Sequence, residues 1–98
     1  MLMTSLRTKE VHICSLLDKE NPVAKKAFKL LYDKYFAESL KAKGGKLQIL
    51  RSIYLDRQNL KVSQLACNCK IQERTLIRYR HEFVEWFYVI FNMLSDFN

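Results

Sequence analysis

An all-α domain of four to five helices, ending in one long C-terminal helix, is predicted by three observations. The 98 residues hold only two glycines and one proline, too little turn punctuation for a sheet protein. Apolar residues make up 49% of the chain, enough to bury a core rather than stay disordered. They also recur at spacings of three and four over most of its length. A chain of this size forms one core, so residues 1–98 are expected to be a single helical domain.

The first element is expected from about Ser5 to Leu17, with Leu6, Ile13, Leu16 and Leu17 on one face. Val11-His12-Ile13 alternates like a strand, but no second strand exists to pair with it. Asn21-Pro22 starts the next helix: the Asn21 side chain can cap it, and Pro22 at the first position loses no needed hydrogen bond. That helix runs to about Lys43, burying Ala24, Ala27, Phe28, Leu31, Tyr35 and Phe36. Lys25, Lys26, Lys29 and Lys34 fall on the opposite, solvated side. Gly44-Gly45 closes it, since glycine permits the left-handed conformation and Lys41 and Lys43 favour the helix dipole. A third helix is expected from about Lys46 to Arg57, with Leu47, Leu50, Ile53 and Tyr54 facing inward. The polar stretch DRQNLK then leads into the next segment.

Val62 to Arg80, VSQLACNCKIQERTLIRYR, reads as a short helix, a tight turn and a second, arginine-studded helix. This is the pattern of a helix-turn-helix, expected over 62–81, whose second helix enters the major groove of DNA. The motif needs apolar residues at the fourth, eighth, tenth, fifteenth and eighteenth positions, because two helices pack steeply across a short turn. A frame starting at Val62 places Leu65, Cys69, Ile71, Leu76 and Tyr79 there. Ala66 falls at the fifth position, where the helices come closest and only a small residue fits. Lys70 departs from the pattern: the turn wants a positive φ, which costs a non-glycine residue about 1 kcal/mol. Gln72, opening the second helix, is a weaker cap than serine.

The segment KLQILRSIYLDRQNLKVSQLACNCKIQERTLIRYRHEFVEWF resembles the sigma-like helix-turn-helix regulators of phages and prophages in Gram-positive bacteria, the ArpU-like late transcription regulators in particular. The resemblance covers about half of the chain, and the RYR ending followed by aromatics is its more specific part. It implies a sequence-specific DNA-binding protein that controls transcription.

Side-chain chemistry assigns the expected roles. If Leu76, Tyr79 and Phe83 face the core, then Gln72, Glu73, Arg74, Ile77, Arg78 and His81 turn outward toward base edges. Arg74 and Arg78 suit bidentate contact with guanine, Gln72 suits adenine, Glu73 accepts from cytosine, and Ile77 packs on a thymine methyl. Lys61, Ser63, Gln64, Lys70, Thr75 and Arg80 are placed for phosphates, which set register without reading sequence. Four of them have a plainer reading. Arg80 and His81 can be simply solvated, Glu73 can be an acid favouring a helix N-terminus, and Ile77 can face the core or a partner.

Charge agrees with a polyanionic partner. The net charge is +7 and unevenly placed: residues 82–98 carry Glu82, Glu85 and Asp96 with no Lys or Arg. The remainder holds 17 basic against 7 acidic residues, a balance of +10. From Phe83 to Leu94 only Glu85 and Asn92 are polar, too wide an apolar surface for one face of a surface helix. Either the earlier helices wrap it or a second copy shares it, so a homodimer with its recognition helices one DNA turn apart is expected. The run is too short to span a bilayer, and the N-terminus lacks the apolar stretch of a signal peptide.

Cys14, Cys67 and Cys69 are odd in number and lack the CxxC spacing of a zinc site. With His12 and His81 isolated, no metal, cofactor or disulfide is expected, and reduced thiols suit a cytoplasmic protein. No phosphate loop, nucleophile set or paired carboxylates argue for an enzyme. Two alternatives remain. One is another double-stranded DNA task, small-terminase-like phage packaging or recombination. The other is an interaction module whose aromatic C-terminal helix docks RNA polymerase or another regulator.

Overall fold

A computed structural model describes residues 6–41, 45–57 and 61–96. They form five helices and no strand among the described residues: α1 (Leu6–Asp18), α2 (Pro22–Lys41), α3 (Lys46–Tyr54), α4 (Val62–Asn68) and α5 (Glu73–Asp96). The all-α expectation holds. No helix among the described residues is long and apolar enough to cross a membrane.

Helix α1 buries Ile13 and partly buries Leu6, Leu16 and Leu17. It ends at Glu20, which takes a left-handed φ of 55°. There the Glu20 N–H donates to the Leu17 carbonyl and the Asn21 N–H to that of Leu16, at 3.0 and 3.1 Å. This nested pair satisfies carbonyls that the helix itself cannot. Asn21 then opens α2, its Oδ1 accepting from the Ala24 N–H at 3.0 Å. One residue thus closes the first helix and caps the second.

Helix α2 buries Ala24, Ala27, Phe28, Leu31 and Tyr35 among α1, α3 and α5; Tyr35 meets Phe83 of α5 edge to face at 5.0 Å and Phe28 meets Tyr54 of α3 at 5.8 Å. Phe36 was expected inside but is 48% exposed, because it lies a third of a turn round from Tyr35, beyond the edge of the buried stripe. The lysine face is solvated, with pairs Lys29–Asp33 and Lys34–Glu38 at the i,i+4 spacing. The expected close of α2 at Lys43 and Gly44 lies outside the described residues. Gly45 has φ −80° and precedes α3.

Helix α3 is shorter than expected. The N–H groups of Leu55 and Asp56 both turn to the Arg51 carbonyl, and Arg57 takes a φ of 55°. Arg57 Nε then donates to the Tyr54 carbonyl at 2.8 Å, while its Nη1 and Nη2 donate to Asp18 at the end of α1. One side chain caps α3 and ties it to α1. Ile49, Leu50, Ile53 and Tyr54 bury into the core, and Leu47 is only partly covered.

Helix α5 is the axis. It packs against each of the other four helices, burying Leu76, Phe83, Val84 and Phe87.

Candidate nucleic-acid interface

Helix α4 and the start of α5 are joined by a turn over residues 69–72. Lys70 sits at its pivot with φ 59°. Its N–H donates to the Cys67 carbonyl at 3.1 Å and the Ile71 N–H to that of Ala66 at 3.0 Å, repeating the nested closure seen after α1. The strained position is therefore lysine, as the residue frame anticipates. Leu65, Ala66 and Leu76 are buried, and Cys69, Ile71 and Tyr79 pack partly buried against the core. Ala66 and Leu76 at the inner seam hold α4 onto α5.

This packing dictates which way α5 presents its other residues. At ~100° per residue, Glu73, Arg74, Ile77, Arg78 and His81 fall within one arc of about 140°. All five are exposed, as is Gln72 immediately before them. Arg74 and Arg78 have no acidic partner within ion-pair distance among the described residues, and Glu73 holds neither of them. The Arg78 guanidinium lies 5.6 Å from the centre of the Tyr79 ring, with Lys46 Nζ 4.9 Å from the same ring. An exposed arc with two guanidinium groups that have no carboxylate partner among the described residues is suited to donating hydrogen bonds to acceptors outside the molecule.

Of the residues expected at phosphates, Lys61, Ser63, Gln64 and Lys70 are exposed on α4 and its two ends, and Thr75 is half-buried. Arg80 is a correction. It turns inward, its side chain 14% exposed, and pairs with Glu10 of α1. Nη2 donates to Oε1 at 2.6 Å and Nε to Oε2 at 2.8 Å. The reason is rotational: Arg80 lies one turn after Leu76 and one before Phe83, on the buried stripe itself. Glu10, wholly buried, was missed. The signal was present, since Glu10 sits four residues after Leu6 and three before Ile13, inside the apolar face of α1.

A second polar cluster braces the other side of α5. The Tyr35 hydroxyl donates to Glu82 Oε2 at 2.5 Å, and Lys46 Nζ donates to the same oxygen at 3.2 Å. Partial burial works against the Glu82 carboxylate, but hydrogen bonds from Tyr35 and Lys46 and the nearby lysine charges outweigh it and hold the carboxyl below its ordinary range. Burial, reinforced by Glu82, pushes the Tyr35 phenol up.

Cys14, Cys67 and Cys69 are free thiols, and among the described residues no His, Cys, Asp or Glu group is arranged to hold a metal ion. No known protein family, curated protein or solved structure matches the chain.

Proposed function

We propose that this chain is a sequence-specific double-stranded DNA-binding protein, acting in the cytoplasm, that regulates transcription with α4, its turn and the first turns of α5 as a helix-turn-helix. One observation carries the reading: Gln72, Glu73, Arg74, Ile77, Arg78 and His81 share the exposed arc of α5 while its opposite side is anchored by Leu76 and Phe83. In this reading Arg74 and Arg78 make the base contacts and Lys61, Ser63, Gln64, Lys70 and Thr75 steady the backbone. Control of transcription rests on the resemblance of the RYR-ending segment to phage and prophage regulators.

Selection of bound duplexes from a random pool, followed by salt titration, tests this. A specific regulator enriches one site and prefers it over random DNA by at least ~10³ at physiological salt. Steep salt dependence without preference favours a packaging or recombination role instead. No binding at all leaves an interaction module.

A second feature favours assembly. Trp86, Val89 and Met93 form an exposed apolar stripe along α5, although Phe83, Val84 and Phe87 on its other side are buried. A homodimer sharing this stripe sets two recognition helices on one duplex. A monomer instead leaves the stripe open to RNA polymerase.

A further inference from the structure

A cleft of about 640 Å³ lies between α1, the end of α3 and the start of α4. Its volume falls within the ~300–1,000 Å³ typical of small-molecule sites. Its walls are of two kinds. Val11, Cys14, Ile53, Val62 and Leu65 supply apolar surface from three helices. Five basic side chains surround them, Arg7, Lys19, Arg57, Lys61 and Arg80, against two carboxylates, Asp18 in the wall and Glu10 behind Arg7 and Arg80.

Those bases are not equivalent. Arg57 is held by Asp18 at 2.7 Å, and Arg80 is fixed in place by Glu10, so both guanidinium groups are positioned before anything arrives. Arg80 uses Nε and Nη2 for Glu10, and its Nη1 has no hydrogen-bond partner among the described residues. Lys19 and Lys61 have no acidic partner within ion-pair distance among the described residues, and they line the cleft from the segments just after α1 and just before α4. Burial raises the Cys14 thiol, so it adds no negative charge between them at neutral pH. Val11, half exposed, is a β-branched residue with its surface toward this space rather than the core. The excess of positive charge disfavours a cation, and the apolar surface is wasted on inorganic phosphate.

We infer that this cleft is a binding site for a small organic anion, an apolar body carrying one carboxylate or phosphate, seated on the Val11–Ile53–Leu65 surface with its charge between Lys19 and Lys61. The site uses none of the exposed arc of α5 and shares only Lys61 with the DNA-binding reading, and octanoate binding is read without DNA, so the two readings fail separately.

Octanoate is a suitable probe because it has both parts, and octylammonium is its charge-inverted control. Titration of the full chain, followed by amide NMR, should give one saturable octanoate site with the largest shifts at Val11, Cys14, Ile53 and Val62. Octylammonium should bind there at least tenfold more weakly. Lys19→Glu/Lys61→Glu changes only exposed, unpaired positions and should leave the spectrum of the free protein folded while weakening octanoate at least tenfold. Cys14→Trp, which fills the cleft, should abolish the shifts. The inference is overturned if octanoate shifts only residues around Trp86 and Met93, if octylammonium binds equally well, or if the folded double variant binds octanoate as the parent does.

Discussion

Arg80 of α5 and Glu10 of α1, seventy positions apart in sequence, meet through two hydrogen bonds of 2.6 and 2.8 Å. The Glu10 side chain has no exposed surface, and Arg7 at 3.8 Å is the only other cation near its carboxylate among the described residues. Removing either partner strands a charge in the interior, whereas removing both does not. Glu10→Ala and Arg80→Met are each expected to lose about 3–5 kcal/mol in urea denaturation. Glu10→Leu/Arg80→Met should fall within about 1 kcal/mol of the parent or exceed it. Single variants that unfold at the parent's midpoint would show the pair to be no structural link.

Arg74→Ala and Arg78→Ala should each weaken binding to the selected duplex by about 1–3 kcal/mol and relax preference at one base pair. Melting temperatures should stay close to the parent value, since neither side chain has an acidic partner among the described residues and the exposed contact of Arg78 with the Tyr79 ring is worth only ~0.5–1 kcal/mol. If both variants bind the selected site as tightly as the parent, the exposed arc of α5 is not the reading surface.

Lys70→Gly should stabilise the chain by ~0.5–1 kcal/mol, because the left-handed φ at that position strains a side chain and not glycine. Thermal unfolding of the two proteins side by side measures it. An unchanged or lower midpoint would mean that lysine makes a compensating contact there.

The Glu82 carboxyl is depressed in the fold, so its sign is that of a carboxylate held ionised. Its contribution is present above the ordinary glutamate value of 4.5 and is lost as the pH falls through its lower folded value. Glu82→Gln should therefore reduce stability at pH 7 and narrow the gap from the parent as the pH drops below that range. A gap that is constant from pH 7 to pH 3 would rule out the linkage to Tyr35 and Lys46.

Sedimentation at micromolar concentration should show twice the 11.7 kDa chain mass if α5 pairs through its exposed stripe. Val89→Glu/Met93→Glu should return it to a monomer without loss of helicity. A parent that sediments only as an 11.7 kDa species leaves the stripe to another partner.

Much of the fold was legible because its signals are local. Asn21-Pro22 marks a helix start through chemistry confined to four residues, and the period of Ala24, Ala27, Phe28 and Leu31 needs no knowledge of what covers them. The frame from Leu65 to Tyr79 was equally readable, since apolar spacing alone decides which side of each helix packs. The same spacing puts Arg80, between Leu76 and Phe83, on the buried side of α5 despite its charge. The arc from Gln72 to His81 follows from the same geometry and was read correctly as exposed.

The amino-acid sequence by itself therefore determined an all-α domain of four to five helices, the starts of α2, α3 and α4, and the outward arc of α5, because hydrogen bonding and amphipathic period act over a few residues. Only the tertiary structure decided the rest. Ile49 lies inside because burial depends on which helix arrives opposite. α3 stops at Tyr54 because Arg57 reaches back to its last carbonyl and across to Asp18. Above all, two charged side chains that each interrupt an apolar stripe become one neutral pair only when α1 lies along α5. A single helix cannot reveal that a buried charge has its partner seventy residues away.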